Sequence, residues 1–175
     1  MQLQAQTRIA FPRDVVFRTY RDRIVPAVPY MPNVASIVEQ ERKVKDGGVI
    51  ELVNLWTGKT EIPAVARKFL KAEMLTWTDY ATWDEPTWIC RWRLKTHALP
   101  EVLECSGQTV FTESGPGATT VELSGTLALH LEKASIPRFL AGTLSPLIER
   151  VLVGGVRPNL LSAGAAVEKL LLSGR

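Results

Sequence analysis

The chain has 175 residues, with 21 Lys plus Arg against 18 Asp plus Glu and a formal charge of +3. Its hydrophobic fraction of 46% and charged fraction of 22% exclude a disordered or collagen-like chain, and they supply a core that needs no disulfide or metal staple. The densest basic runs, Arg18–Arg23 and Arg91–Lys95, are short and mixed with other residues, unlike the concentrated charge of a nucleic-acid binder.

In chain order, Gln2 to Ala10 reads as a strand ended by Phe11-Pro12. Pro12 and Asp14 suit the start of a helix, and Val16, Tyr20 and Ile24, with Phe17 beside them, give it one apolar face. Pro26, Pro29 and Pro32 keep any helix after it short. From Val34 the period changes to two. Val34–Val44 and Val49–Trp56 form a hairpin about Lys45-Asp46-Gly47-Gly48, and Val44 opposite Val49 would set Arg42 opposite Glu51. Thr57-Gly58 and Ile62-Pro63 lead into a long extended run, Val65–Trp83. Asp84–Thr87 turns it and Trp88–Thr96 returns. Leu103–Thr112 and Thr119–Leu131 follow, joined through Ser114–Gly117. The last stretch is helical in pattern: Ile136, Leu140, Leu144 and Ile148 step by four, and Leu160–Leu172 keeps an apolar face beyond Pro146, Gly154-Gly155 and Pro158, which should bend the helix.

This order predicts an α+β fold in one domain, residues 1–175: a curved antiparallel sheet of about seven strands wrapped around a long C-terminal helix, the one element long enough to cover it. It resembles the START-like, helix-grip superfamily of polyketide cyclases, lipid-transfer domains and pollen-allergen-type carriers. The resemblance is carried by Phe11-Pro12-Arg13-Asp14-Val15-Val16-Phe17, Tyr20-Arg21-Asp22 and Met31-Pro32-Asn33-Val34, with the element order over nearly the whole chain. It implies a cavity between sheet and helix for a hydrophobic small molecule. Because the superfamily holds both passive carriers and enzymes, it leaves the activity open.

Four of the five tryptophans lie between Trp77 and Trp92, on both arms of one hairpin. With Asp84–Thr87 as the loop, Trp83 pairs with Trp88, Ala81 with Cys90, Asp79 with Trp92 and Trp77 with Leu94, all on one face; Arg91, Arg93 and Lys95 point to water. Asp79 is the single acid on that apolar face. The plainer reading comes first: a rim residue, partly hydrated or bonded to a tryptophan N–H or an amide. The sharper one makes it the group that orients a ligand or acts as acid or base. On the next strands Leu103, Cys105, Gly107, Thr109 and Phe111 share a face, as do Val121, Leu123, Gly125, Leu127 and Leu129. Gly107 and Gly125 either let the sheet curl or leave room for a ligand.

The remaining chemistry is sparse. His97 and His130 have no partner at metal-ligand spacing, so neither metal nor cofactor is expected. Cys90 and Cys105, inside apolar strands, are expected to be reduced and inert. There is no apolar leader run, phosphate loop or membrane-spanning segment, so the expected setting is cytoplasmic, without nucleic acid; oligomeric state is not legible. The reading is a binding protein for a hydrophobic or aromatic small molecule (a lipid, polyketide-like or isoprenoid compound), with Trp56, Trp77, Asp79, Trp92, Phe111, Phe139 and Thr143 lining the cavity. A cyclase- or dehydratase-type enzyme using Asp79, and a protein-interaction module with a filled core, are the alternatives, and binding ranks ahead of catalysis.

Overall fold

The computed structural model describes residues 1–59, 76–97, 101–130, 133 and 162–174. Strand β1 (Gln2–Ile9) leads to helix α1 (Arg13–Asp22) and a 3₁₀ turn (Val25–Tyr30); then come β2 (Val34–Lys45), β3 (Val49–Gly58), β4 (Thr76–Asp84), β5 (Ile89–Thr96), β6 (Leu103–Glu113) and β7 (Thr119–Leu129). A helix described over 162–172 follows near the chain end. The seven strands form one curved, unclosed antiparallel sheet in the order β1-β7-β6-β5-β4-β3-β2, so the first strand lies at one edge beside the last.

Period-two alternation decides which face is covered. On β5, Cys90, Trp92, Leu94 and Thr96 are buried while Arg91, Arg93 and Lys95 are exposed. Helix α1 and the C-terminal helix both pack on the concave face: Val16 and Phe17 from one, and Ala166, Val167 and Leu170 from the other, join the same core as Leu3, Trp83, Phe111 and Leu127. Phe17 is the hub on the α1 side, meeting the rings of Trp83, Trp88 and Phe111 edge-on at 5.2, 5.3 and 5.1 Å.

Two registers differ from those expected. The β4–β5 hairpin is slid by two residues: Trp83 opposes Cys90, Ala81 opposes Trp92 and Asp79 opposes Leu94. The reason is Trp88, which lies in the left-handed region (φ 57°) and belongs to the turn. Its ring packs on Phe17 and under the Arg13 guanidinium at 4.5 Å, contacts that offset the backbone strain. A slide of two keeps the parity, so the predicted inner face survives. The β2–β3 hairpin is off by one: Lys45 opposes Val49 and Val44 opposes Ile50, because only Asp46-Gly47-Gly48 form the turn. Arg42 therefore faces Leu52, not Glu51. Residues 65–75, 136–158 and the bend at Gly154-Gly155 lie outside the described residues.

Arg42 takes part instead in an ion-pair network that ties α1 to the sheet. Its guanidinium meets Asp22 at 2.9 Å and Glu39 at 2.8 Å; the nearly buried Arg21 bridges Asp22 at 2.8 Å and Glu85 at 2.6 Å, and Arg18 also reaches Glu85 at 2.6 Å. Burial works against the charge on Asp22, but hydrogen bonds from Arg21 and Arg42 outweigh it and hold the carboxyl below its usual range. Arg18 and Arg21 lower Glu85, and Arg42 lowers Glu39. Carboxyls lowered in the folded state stabilise it above their unfolded pKa, near 4, and lose that contribution as pH falls through the folded values. Arg21→Met is therefore expected to lower the melting temperature at pH 6, with the difference from the parent shrinking as the pH is taken below about 4. Melts across that range check it; a difference independent of pH would show that Arg21 acts by packing alone.

Candidate functional site

A hollow opens between the concave face and the two helices. It is lined by Asn54 and Trp56 of β3, Trp77, Asp79 and Trp83 of β4, and Cys90, Trp92 and Leu94 of β5. Tyr20 and Ile24 close it from the α1 side, and Ala163 and Gly164 from the C-terminal helix. The cavity volume is about 100 Å³, room for several waters or the body of a small ring compound. Gly164 is what brings the C-terminal helix so close: a Cβ there would stand 2.8 Å from the Thr7 hydroxyl and 3.0 Å from its Cβ.

The strands set the site out in rows. Trp56 pairs with Trp77, their rings stacked 5.9 Å apart and 20° from parallel. One row on, Asn54 pairs with Asp79 and Asp79 with Leu94. The next row carries Leu52, Ala81, Trp92, Gly107 and Gly125. Here the two glycines have a specific partner. A Cβ on Gly107 would lie 2.7 Å from Trp92 Cζ2 and one on Gly125 2.8 Å from its Cη2, so the space they leave is filled by that indole. Trp92 Nε1 donates to Thr109 Oγ1 at 3.2 Å, which fixes the ring in place.

Three other polar groups on the lining have no such partner. Trp56 Nε1, Trp83 Nε1 and Asp79 Oδ1 are buried without a hydrogen-bond partner among the described residues. Asp79 as a residue is only partly buried, but Oδ1 is shut off from solvent, and burial pushes the carboxyl up to about 7. Burial likewise raises the Tyr20 phenol and the Cys90 thiol, and pushes Cys105 up to about 12, so both thiols remain protonated. Both cysteines are free and buried. Among the described residues no group of His, Cys, Asp and Glu could hold a metal ion, and no helix is long and apolar enough to cross a membrane.

Of the residues proposed from sequence, Trp56, Trp77, Asp79 and Trp92 come together on the lining. Phe111 is placed below it, fully buried against Phe17, Tyr20 and Trp83. Phe139 and Thr143 lie outside the described residues. Tyr20 and Asn54 are lining residues that sequence reasoning did not assign to the cavity, and Trp83, placed on the inner face from sequence, lines it as well. Asn54 was detectable as a polar residue between the inward Leu52 and Trp56, and Tyr20 as the polar-tipped member of α1's apolar face.

No family model and no curated protein matches the chain. Solved structures do. The Zhui aromatase/cyclase of Streptomyces sp. R1128 superposes with a TM-score of 0.69 at 16% identity, over 100% of this chain and 96% of the other. The protein TTHA0849 of Thermus thermophilus gives 0.65 at 20%, covering 99% of each chain. Norcoclaurine synthase of Thalictrum flavum gives 0.56 at 15%, over 98% of this chain and 86% of that one. At these identities the likeness is one of fold.

Proposed function

The chain has the helix-grip fold of the START-like superfamily, and on that footing we propose that it binds a hydrophobic or aromatic small molecule in the hollow between the sheet and the helices. The observation that carries this reading is the composition of the lining: four tryptophans, a tyrosine and aliphatic side chains around a few polar groups, which is the make-up of a small-molecule pocket. Apolar burial would supply most of the affinity and the polar groups the orientation. Titrating the tryptophan fluorescence with a panel of lipids and aromatic compounds tests it. A saturable change at one equivalent supports a pocket; indifference to the whole panel means that the indoles fill a core.

A second reading, acid–base catalysis of the cyclase or dehydratase kind, has one observation in its favour. Asp79, with its carboxyl pushed up to about 7, is poised where a general acid or base works best at neutral pH. Asp79→Asn separates the two readings. In a carrier the variant is expected to retain binding within a few-fold, whereas in an enzyme turnover would drop by roughly a hundredfold or more with affinity kept.

A further inference from the structure

The three unpartnered polar atoms line one hollow, and together they restrict what can occupy it. Trp56 Nε1 and Trp83 Nε1 are donors only, so each is satisfied by an acceptor. Asp79 can donate when neutral and only accepts when ionised. No Lys, Arg or His lines the hollow among the described residues, so an ionised Asp79 would be a lone charge beside indoles. Among the described residues, the titratable groups on the lining or beside Asp79 are Tyr20 from α1, Cys90 from β5 and Cys105 from β6, each kept neutral by burial. The described lining from β1, β3, β7 and the C-terminal helix adds no titratable group.

A ligand ammonium would satisfy Asp79 and leave both indole N–H groups unpaired. A ligand carboxylate would satisfy the indoles and bring a second buried acid beside Asp79. An uncharged compound with carbonyl or hydroxyl oxygens can serve all three without burying a charge. We infer that the hollow is built for an uncharged, largely apolar molecule carrying oxygen acceptors, which Asp79 meets as a neutral acid donating its proton. This rests on the reading of the hollow as a binding pocket. It adds a consequence that pocket binding alone does not have: ligand binding is coupled to protonation of Asp79, so the molecule is held at acid pH and released as the pH rises.

Three compounds of closely matched shape test it by calorimetry: acetylnaphthalene, its hydrocarbon isostere isopropenylnaphthalene, and the amine α-methylnaphthalenemethylamine. Acetylnaphthalene is expected to bind about tenfold tighter than the hydrocarbon at pH 5.5. Its affinity is expected to fall by about thirtyfold between pH 5.5 and 8.5, the factor for a required proton on a group titrating at about 7. In Asp79→Asn, whose amide still donates, binding at pH 5.5 persists within a few-fold and the pH dependence disappears. Equal binding of ketone and hydrocarbon, an amine that binds tightest with affinity rising with pH, or a pH dependence that survives in Asp79→Asn each overturns the inference and leaves the pocket standing. If none of the three binds at either pH, the pocket reading falls and takes the inference with it.

Discussion

Phe17→Ala is expected to destabilise the protein by about 3–5 kcal/mol, the range for truncating a buried aromatic side chain to alanine. Phe17 is 0% exposed and touches three aromatic rings, two of them from the β4–β5 hairpin and its turn and one from β6. Its removal leaves a cavity whose walls cannot collapse together, since Trp83 and Phe111 are held by strand pairing. Trp88 also loses one of the two contacts that offset its left-handed backbone. Urea unfolding measures the loss, and Phe17→Leu should recover a large part of it. A cost below about 1 kcal/mol would contradict the placement of α1 over the sheet, and with it the placement of Tyr20 and Ile24 at the hollow.

Gly107→Ala is expected to cost more than the roughly 1–3 kcal/mol of ordinary overpacking, enough to blur or abolish a cooperative melt. The added Cβ would stand 2.2 Å from the Ser124 carbonyl oxygen and 2.7 Å from the Gly125 Cα, both backbone atoms of the paired strand, besides 2.7 Å from Trp92. Removing the indole relieves only the third contact. The loss should therefore persist when Gly107→Ala is made in a Trp92→Ala background, as the double-mutant comparison of the two losses would show. A Gly107→Ala protein as stable as the parent would mean that β6 and β7 are not in the register Gly107–Gly125.

These two residues also show how far the sequence can be read. Four-residue spacing of Val16, Tyr20 and Ile24 marks the apolar face of α1 beside which Phe17 lies, and Val16 and Phe17 are both buried. The meander from β2 onward and the inner face of β4 and β5 are legible because period two is indifferent to a slide of two residues. The exact pairing is not, because it depends on Trp88 entering a left-handed turn position that a bulky residue rarely takes. The β2–β3 register fails for a related reason: one residue more or fewer in a glycine turn exchanges Arg42's partner. Sequence alone leaves Gly107 and Gly125 between curvature and ligand space, and only the cross-strand position of Trp92 assigns that space to an indole. Asp79 and Trp83 stand out together on the inner face of the β4–β5 hairpin, but their companion Asn54 emerges only once β3 is laid beside β4.

That the hollow holds a small molecule is the central claim, and native mass spectrometry of gently purified protein tests it most directly. A stoichiometric, largely apolar and oxygenated compound is expected, released on denaturation and lost when the protein is purified well above pH 7. A protein that is empty at every pH, and whose tryptophan fluorescence is unchanged by the ligand panel, would contradict it.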